Sequence, residues 1–254
     1  MSDTVLAAQL YTVREHAKTP ADIATTMARV KAMGYDAVQT SGLGPIEPAE
    51  LRRIVDGEGL TICATHVGYE ALRDDTQGQI DFHKTIGCDN VAIGGLPGDY
   101  RSAEGFARFA KEGTEIGRTL ADAALTFSYH NHSHEFEKFD GRLAMDIIYE
   151  DSDPRYLKAE LDTYWVQHGG GDSTAWIEKL SDRIVLLHLK DMAIHERKQV
   201  FAEIGEGNLN WESILSAAEA AGTQWYIVEQ DTCQRDPFES LKISLENLKA
   251  MGLD

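Results

Sequence analysis

The chain has 254 residues, 43% of them hydrophobic, which is enough to bury one large α/β core and predicts a single domain over residues 1–254. Acidic residues number 42 against 24 basic ones, and the net charge of −18 argues against nucleic acid or an anionic membrane as a partner. The three widely spaced cysteines cannot all pair, and no signal peptide or membrane-length apolar run is evident, which predicts a cytoplasmic protein.

Short β-rich runs alternate with longer amphipathic segments along the chain. Several of the short runs are almost continuously apolar, as is typical of parallel strands covered on both faces. The predicted strands are 5–11, 37–40, 61–66, 90–93, 126–131, 158–164, 184–190 and 225–229. The first predicted helix is capped by Thr19, begins at Pro20 and ends at Gly34. The other predicted helices are 48–55, 77–86, 103–123, 142–148, 173–180, 211–220 and 237–251.

Eight successive β-then-α units without a linker predict one (β/α)₈ barrel, in which the first and last strands pair. The alternative is an open, doubly wound parallel sheet. Residues 9–14, which include the end of the first strand, contain no glycine, whereas a dinucleotide-binding sheet has a glycine-rich loop at this point. The closed barrel is therefore the preferred prediction.

Residues of metal-ligand type lie at the ends of four predicted strands. Asp162, His188 and Glu229 end strands six, seven and eight, and a histidine-rich segment from His130 to Glu135 ends strand five. In a (β/α)₈ barrel these strand ends converge on the face that carries the active site. Carboxylates combined with an imidazole suit Mn²⁺, Mg²⁺, Co²⁺ or Zn²⁺, so we predict one divalent ion held by Asp162, His188, Glu229 and a strand-five residue.

The strand-five ligand is open between two residues. Alternation along a regular strand would put His130, His132 and His134 on one face, whereas a bulge or turn would be needed to bring Glu135 to the ion. We favour Glu135 over His132 as the fourth ligand. His66, at the end of strand three, and Lys190 are predicted to bind substrate, although Lys190 could instead pair with Asp191. Four other histidines are expected at the surface or in loops: His16, His83, His168 and His195.

Several of these motifs resemble the sugar phosphate isomerase/epimerase family of xylose isomerase-like barrels. They are Tyr129-His130-Asn131-His132, Leu161-Asp162-Thr163, His188-Leu189-Lys190-Asp191 and Glu229-Gln230-Asp231, with Gln9-Leu10-Tyr11-Thr12 and Thr65-His66. The resemblance implies one metal held by Glu, Asp, His and Glu, the two glutamates acting as acid and base. Asp162, His188 and Glu229 match three of these positions, but His130 stands where the first glutamate is expected. This departure favours relatives in which histidine transfers the proton, including dehydratases and lyases of keto-sugars.

Chemistry at such a site would begin with removal of a proton next to a carbonyl group. A divalent cation stabilises the resulting enediolate, and His130, His132 and Glu229 are the candidates for moving the proton. We therefore predict a metal-dependent isomerase or epimerase of a small sugar or sugar derivative. The alternatives are a dehydratase or lyase acting on a keto-sugar or inosose, and a non-catalytic sugar-binding barrel. The charge of −18 disfavours an endonuclease on abasic DNA, and homo-oligomer formation is left open.

Overall fold

Eight parallel strands form a closed barrel in the computed structural model, which describes residues 4–253. In chain order they are β1 (Val5–Gln9), β2 (Ala37–Thr40), β3 (Thr61–Val67), β4 (Asn90–Ile93), β5 (Thr126–His130), β6 (Leu157–Asp162), β7 (Ile184–Leu189) and β8 (Trp225–Val228). Each strand pairs with its neighbours in sequence, and β1 pairs with β8 from Val5 opposite Trp225 to Ala8 opposite Val228. The (β/α)₈ prediction is confirmed and the open sheet is wrong. Residues 1–3 and 254 of the predicted domain lie outside the described residues.

Helices follow the strands and cover the outside of the barrel. Their bounds are Pro20–Met33, Pro48–Gly57, Tyr69–Asp74, Thr76–Ile86, Ala103–Asp122, Ala144–Glu150, Thr163–His168, Ser173–Lys179, Trp211–Ala220 and Pro237–Ala250. The first has the predicted signals, since Thr19 and Asp22 form a capping box and Gly34 takes a left-handed φ of 105°. Within residues 4–253, no helix combines the length and the apolar character needed to cross a membrane.

Two predicted boundaries shift for reasons that the local hydrogen bonds show. Strand β6 ends at Asp162 instead of residue 164, since Asp162 Oδ1 accepts a hydrogen bond from Trp165 N at 2.8 Å and so begins the helix Thr163–His168. The helix predicted over 142–148 begins at Ala144, because Arg142 pairs with Phe139 in a small antiparallel ladder.

The core has an inner and an outer part. The outer part fills the space between strands and helices with large apolar side chains. The inner part consists mostly of small residues, namely Ala7, Ala37, Cys63, Ala64, Ala92, Leu186 and Ile227. Residues two apart on a strand point to the same face. Two positions after Ala7, Ala37, Leu186 and Ile227 come Gln9, Gln39, His188 and Glu229, which therefore also face the interior. The barrel interior is thus apolar towards the amino ends of the strands and polar towards their carboxyl ends.

A hairpin that the sequence pattern does not predict follows β7. Its strands are Asp191–His195 and Lys198–Ala202. Asp191 holds the loop that follows the hairpin against the barrel. The Asp191 carboxylate accepts hydrogen bonds from Gly205 N at 2.9 Å, Gly207 N at 3.1 Å and Trp211 Nε1 at 2.7 Å. A Cβ on Gly207 would come within 2.3 Å of Asp191 Oδ1, so glycine is required at this close approach. Asp191 is therefore a loop anchor and does not pair with Lys190.

His83 is buried, so its predicted place at the surface is wrong. It lies in the helix Thr76–Ile86, and its Nδ1 donates to the Gln79 carbonyl at 2.6 Å. Its Nε2 must therefore accept from Thr65 Oγ1, at 2.7 Å, if the imidazole is neutral. Burial lowers the pKa of His83 below its ordinary value of 6.5.

Stability should therefore depend on pH through His83. As the pH falls below the unfolded-state pKa of 6.5, the unfolded chain binds a proton that the folded chain resists, so the folded state loses stability. We expect His83→Gln to cost about 1–3 kcal/mol near neutral pH through the lost buried hydrogen bonds. The difference between wild type and variant should shrink as pH falls from about 7.5 to about 5, measured by urea unfolding. A difference that stays constant over this range would contradict the prediction.

Candidate active site

A cavity of about 760 Å³ opens at the carboxyl ends of the strands. Loops after all eight strands contribute to its wall. Its polar lining includes His66, His130, His132 and Glu229, and Trp165 and Phe201 form an aromatic side. This is the face on which (β/α)₈ enzymes carry their active sites, and the volume lies in the ordinary range for small-molecule pockets.

Four buried side chains converge beneath this cavity. His130, Asp162, His188 and Glu229 each offer one ligand atom, and the four atoms lie within 4.8 Å of one another. His130 Nε2 is 3.3 Å from Asp162 Oδ2, and His188 Nδ1 is 2.9 Å from Glu229 Oε2 and 3.8 Å from Asp162 Oδ2. Donors that share one divalent ion at about 2.0–2.2 Å lie roughly 3–4 Å apart, and the three distances given are in or just below that range. The two oxygens and two nitrogens are therefore close to the spacing that such an ion needs.

Glu135, the predicted fourth ligand, is not brought to this cluster. Because β5 ends at His130, the chain turns and Glu135 points into the loop that follows. Its carboxylate accepts from Tyr129 Oη at 2.5 Å and from His132 N at 2.9 Å, and lies 3.1 Å from His134 Nε2. Glu135 therefore organises the histidine-rich loop, and strand five contributes His130 to the four-residue cluster. His132 lines the cavity next to it.

Lys190 is buried among carboxylates and does not reach into the cavity as a free cation. Its Nζ lies 2.9 Å from Asp162 Oδ2, 2.7 Å from Glu229 Oε2 and 3.1 Å from Asp231 Oδ2. Burial alone would lower the pKa of Lys190, but the three carboxylates raise it above its usual value. The ammonium group therefore balances negative charge that would otherwise be uncompensated inside the barrel.

A hydrogen-bonded chain of buried side chains supports the cluster from below. Gln39 Nε2 donates to Glu160 Oε1 at 2.6 Å, and Gln39 Oε1 accepts from Gln9 Nε2 at 2.7 Å. The same Gln39 oxygen lies 2.6 Å from His188 Nε2, which must therefore be the donor. His188 thus turns its Nδ1 towards Asp162 and Glu229, the orientation that outer hydrogen-bond partners impose on metal-binding histidines.

The sequence pattern assigns no role to Gln39 or Glu160, and Gln9 enters only as part of a motif that carries the family resemblance. A signal was available in the spacing. Glu160 precedes Asp162 by two residues, and residues two apart on a strand point to the same face. The run Glu160-Leu161-Asp162 therefore puts two carboxylates inside the barrel, of which only the second was identified as a ligand.

The charged groups of the cluster shift one another's pKa values. Burial would lower the pKa of His188, but Glu160 and Glu229 outweigh it and raise that pKa to about 10. Burial would raise the pKa of Glu229, yet Lys190 and His188 hold it well below the usual value. Burial, followed by the positive charge of His188, lowers the pKa of His130. The carboxylates are therefore ionised at neutral pH, as ligands of a cation must be.

The whole arrangement belongs to a known class of barrel. A family model described as the xylose isomerase-like TIM barrel matches residues 27–251. The chain is a member of that family.

Individual relatives are more distant. An inosose dehydratase from Geobacillus thermodenitrificans (strain NG80-2) is 28% identical over 142 residues, which are 49% of this chain and 47% of that protein. A sugar phosphate isomerase/epimerase from Parabacteroides distasonis ATCC 8503 superposes with a TM-score of 0.84 at 21% identity, covering 99% of this chain and 96% of the other. An L-ribulose 3-epimerase has a TM-score of 0.75 at 15% identity, covering 97% and 94%. The chain matches about half the length of the dehydratase, and the structural likenesses concern the fold.

Proposed function

We propose that this protein is a divalent-metal-dependent isomerase or epimerase of a small sugar or sugar derivative. The observation that carries the proposal is the convergence of His130, Asp162, His188 and Glu229 on one point below a cavity of about 760 Å³. The likeness to an L-ribulose 3-epimerase and to a sugar phosphate isomerase/epimerase supports a sugar as the substrate.

The bound ion would polarise a carbonyl and an adjacent hydroxyl, which makes the neighbouring C–H acidic. His130, Asp162, His188 and Glu229 would hold it, with Gln39 fixing the direction of His188. Trp165 and Phe201 present apolar faces that can pack against the C–H face of a sugar and exclude water from the reacting carbon.

The proton carriers proposed from the sequence differ in their surroundings. Glu229 lies at the cavity wall, so its carboxylate can reach a proton of a bound substrate. His130 contacts Asp162 and belongs to the ligand cluster, so we assign it to the ion. His132 lines the cavity without belonging to that cluster.

Hydrogen exchange in D₂O tests the proposal directly. The metal-loaded protein should incorporate deuterium next to the carbonyl of a ketose it accepts, tested on a panel that includes L-ribulose and followed by mass spectrometry. Glu229→Gln should slow exchange by at least about 10²-fold, the usual contribution of an acid/base group. His130→Asn should lower metal content, whereas His132→Asn should leave it near the wild-type level. Turnover without any deuterium uptake would exclude exchange with solvent and favour an internal hydride shift.

A dehydratase or lyase acting on a keto-sugar or inosose is the second candidate. It is favoured by the match to an inosose dehydratase and by His130 at the position where the resemblance implies glutamate. Elimination shares the proton-removal step but expels water, so the product loses 18 mass units, whereas epimerisation keeps the composition. Incubation with an inosose separates the two. If the protein removes water from an inosose and leaves the ketoses unchanged, the dehydratase replaces the isomerase or epimerase as the proposed function. No turnover of any sugar on the panel, with tight sugar binding, would favour a non-catalytic barrel.

A further inference from the structure

His66 forms a histidine–carboxylate pair at the cavity wall, outside the four-residue ligand cluster. Its Nε2 makes a very short contact with Glu160 Oε2, and Glu160 is completely buried inside the barrel. The His66 side chain is 12% exposed and lines the cavity. Its ring stacks on His188 with a centroid separation of 5.5 Å and meets His130 edge-on at 5.1 Å. The pair therefore borders both the cavity and two members of the four-residue cluster.

The hydrogen bonds of Glu160 determine how His66 is protonated. Glu160 Oε1 accepts from Gln39 Nε2 at 2.6 Å, and Oε2 faces His66 Nε2. A carboxylate can only accept, so Glu160 receives the Gln39 amide proton at Oε1 and a proton from His66 Nε2 at Oε2. A neutral His66 must then carry its proton on Nε2, which leaves the lone pair on Nδ1.

The Nδ1 side of His66 is kept open by glycine. No hydrogen-bond partner of Nδ1 is found among residues 4–253, and Gly94, another residue of the cavity wall, lies beside this atom. A Cβ at Gly94 would lie 3.1 Å from Nδ1, a distance at which a side chain would crowd that atom. The loop after β4 thus leaves room at Nδ1 for a substrate group.

We propose that His66 is a catalytic residue, exchanging a proton with the substrate through Nδ1, and that Glu160 is its positioning residue. The inference rests on the proposed function, because it assumes that a C–H or O–H group of a sugar is the proton donor. The proton passes from the substrate to Nδ1 and the electron pair remains on the substrate. The resulting imidazolium is stabilised by Glu160, and the reverse transfer restores the neutral pair. This is the base-and-orienting-carboxylate arrangement that other acid/base enzymes use.

His132 is a weaker candidate for the same task. Its ring also lines the cavity, but no carboxylate contacts either ring nitrogen among the described residues, and its Nδ1 is buried without a partner. His66 has a buried anion in direct contact, and His132 does not.

Nitrogen NMR of the zinc-loaded protein tests the positioning role without any substrate. With ¹⁵N-labelled histidine, neutral His66 should show its proton on Nε2 in the wild type. In Glu160→Gln the proton should no longer be confined to Nε2, because the amide can donate to Nε2 as well as accept from it. The assignment is secured by loss of the signal in His66→Gln. A wild-type proton on Nδ1, or an unchanged tautomer in Glu160→Gln, would overturn the proposal.

Deuterium exchange tests the catalytic role on whichever sugar of the panel the wild type accepts. His66→Gln should slow exchange by at least about 10²-fold with metal content unchanged, and Glu160→Gln should lower kcat more than it raises KM. His134→Gln is the matched control, since it removes the imidazole of another pair, with Glu135 at 3.1 Å, outside the cavity lining. Exchange in His66→Gln within threefold of wild type would overturn the catalytic role. If no sugar exchanges with the wild type, the proposed function fails, whereas the NMR result still decides how His66 is held.

Discussion

Asp162→Ala is expected to abolish tight metal binding and with it all metal-dependent turnover. Asp162 Oδ2 lies 3.3 Å from His130 Nε2 and 3.8 Å from His188 Nδ1, so it is central to the proposed ligand set. Changing an outer partner of a metal ligand usually costs 10–100-fold in affinity, so loss of a direct ligand should raise the dissociation constant for Mn²⁺ or Zn²⁺ by at least about 10²-fold. Calorimetric titration of the metal-free protein measures this.

A second variant separates the metal role of Asp162 from its structural role. The Oδ1 atom also caps the helix Thr163–His168, so alanine should cost about 1 kcal/mol of stability as well. Asp162→Asn keeps an oxygen for the cap and removes the charge. It should unfold closer to wild type than alanine does, yet bind the ion almost as poorly. Wild-type affinity in both variants would show that Asp162 is not a ligand.

Lys190→Met is expected to have the largest effect on the stability of the metal-free protein. The Lys190 ammonium is completely buried and is within 3.1 Å of carboxylate oxygens of Asp162, Glu229 and Asp231. Removing one member of a buried ion network leaves the others uncompensated, which typically costs about 3–5 kcal/mol. Urea unfolding of the metal-free variant should show a loss of that size.

Added Zn²⁺ should relieve part of this loss, because a divalent ion at the four-residue cluster restores positive charge beside Asp162 and Glu229. Lys179→Met is the control. Lys179 pairs with Asp146 at 2.5 Å, but its side chain is 45% exposed, and such surface pairs contribute about 1 kcal/mol or less. A cost of Lys190→Met no greater than that of Lys179→Met would contradict the role of Lys190. If Zn²⁺ does not reduce the loss of stability in Lys190→Met, that result would count against an ion at this site.

The same electrostatic arrangement balances charge in the metal-free cluster. Four carboxylates lie in or beside the barrel interior, those of Glu160, Asp162, Glu229 and Asp231. Lys190 faces them as a cation, and so does His188 until binding of an ion displaces the proton on its Nδ1. Asp231 carries the weakest compensation, since burial and the nearby Glu229 raise its pKa to about 6. The site is therefore built to hold positive charge at its centre.

Local sequence determined most of the fold. The alternation of apolar strands with capped amphipathic segments is a short-range property, so it predicted all eight barrel strands and the signals of the first helix, including Thr19, Pro20 and Gly34. It also placed Asp162, His188 and Glu229 at neighbouring strand ends. That placement needs only the rule that parallel strands of a barrel finish on one face.

Only the tertiary structure decided what those side chains touch. Whether strand five continued to residue 134 or turned after His130 depended on the Tyr129–Glu135 and His132–Glu135 hydrogen bonds, which no local pattern predicts. The burial of His83 depended on Thr65, eighteen residues away, and the role of Glu160 depended on His66, ninety-four residues away. Strand period and capping act over a few residues, whereas charge compensation inside the barrel joins residues that are tens of positions apart in the sequence. For that reason the pattern could identify the kinds of ligand, but only barrel closure could determine which of them meet.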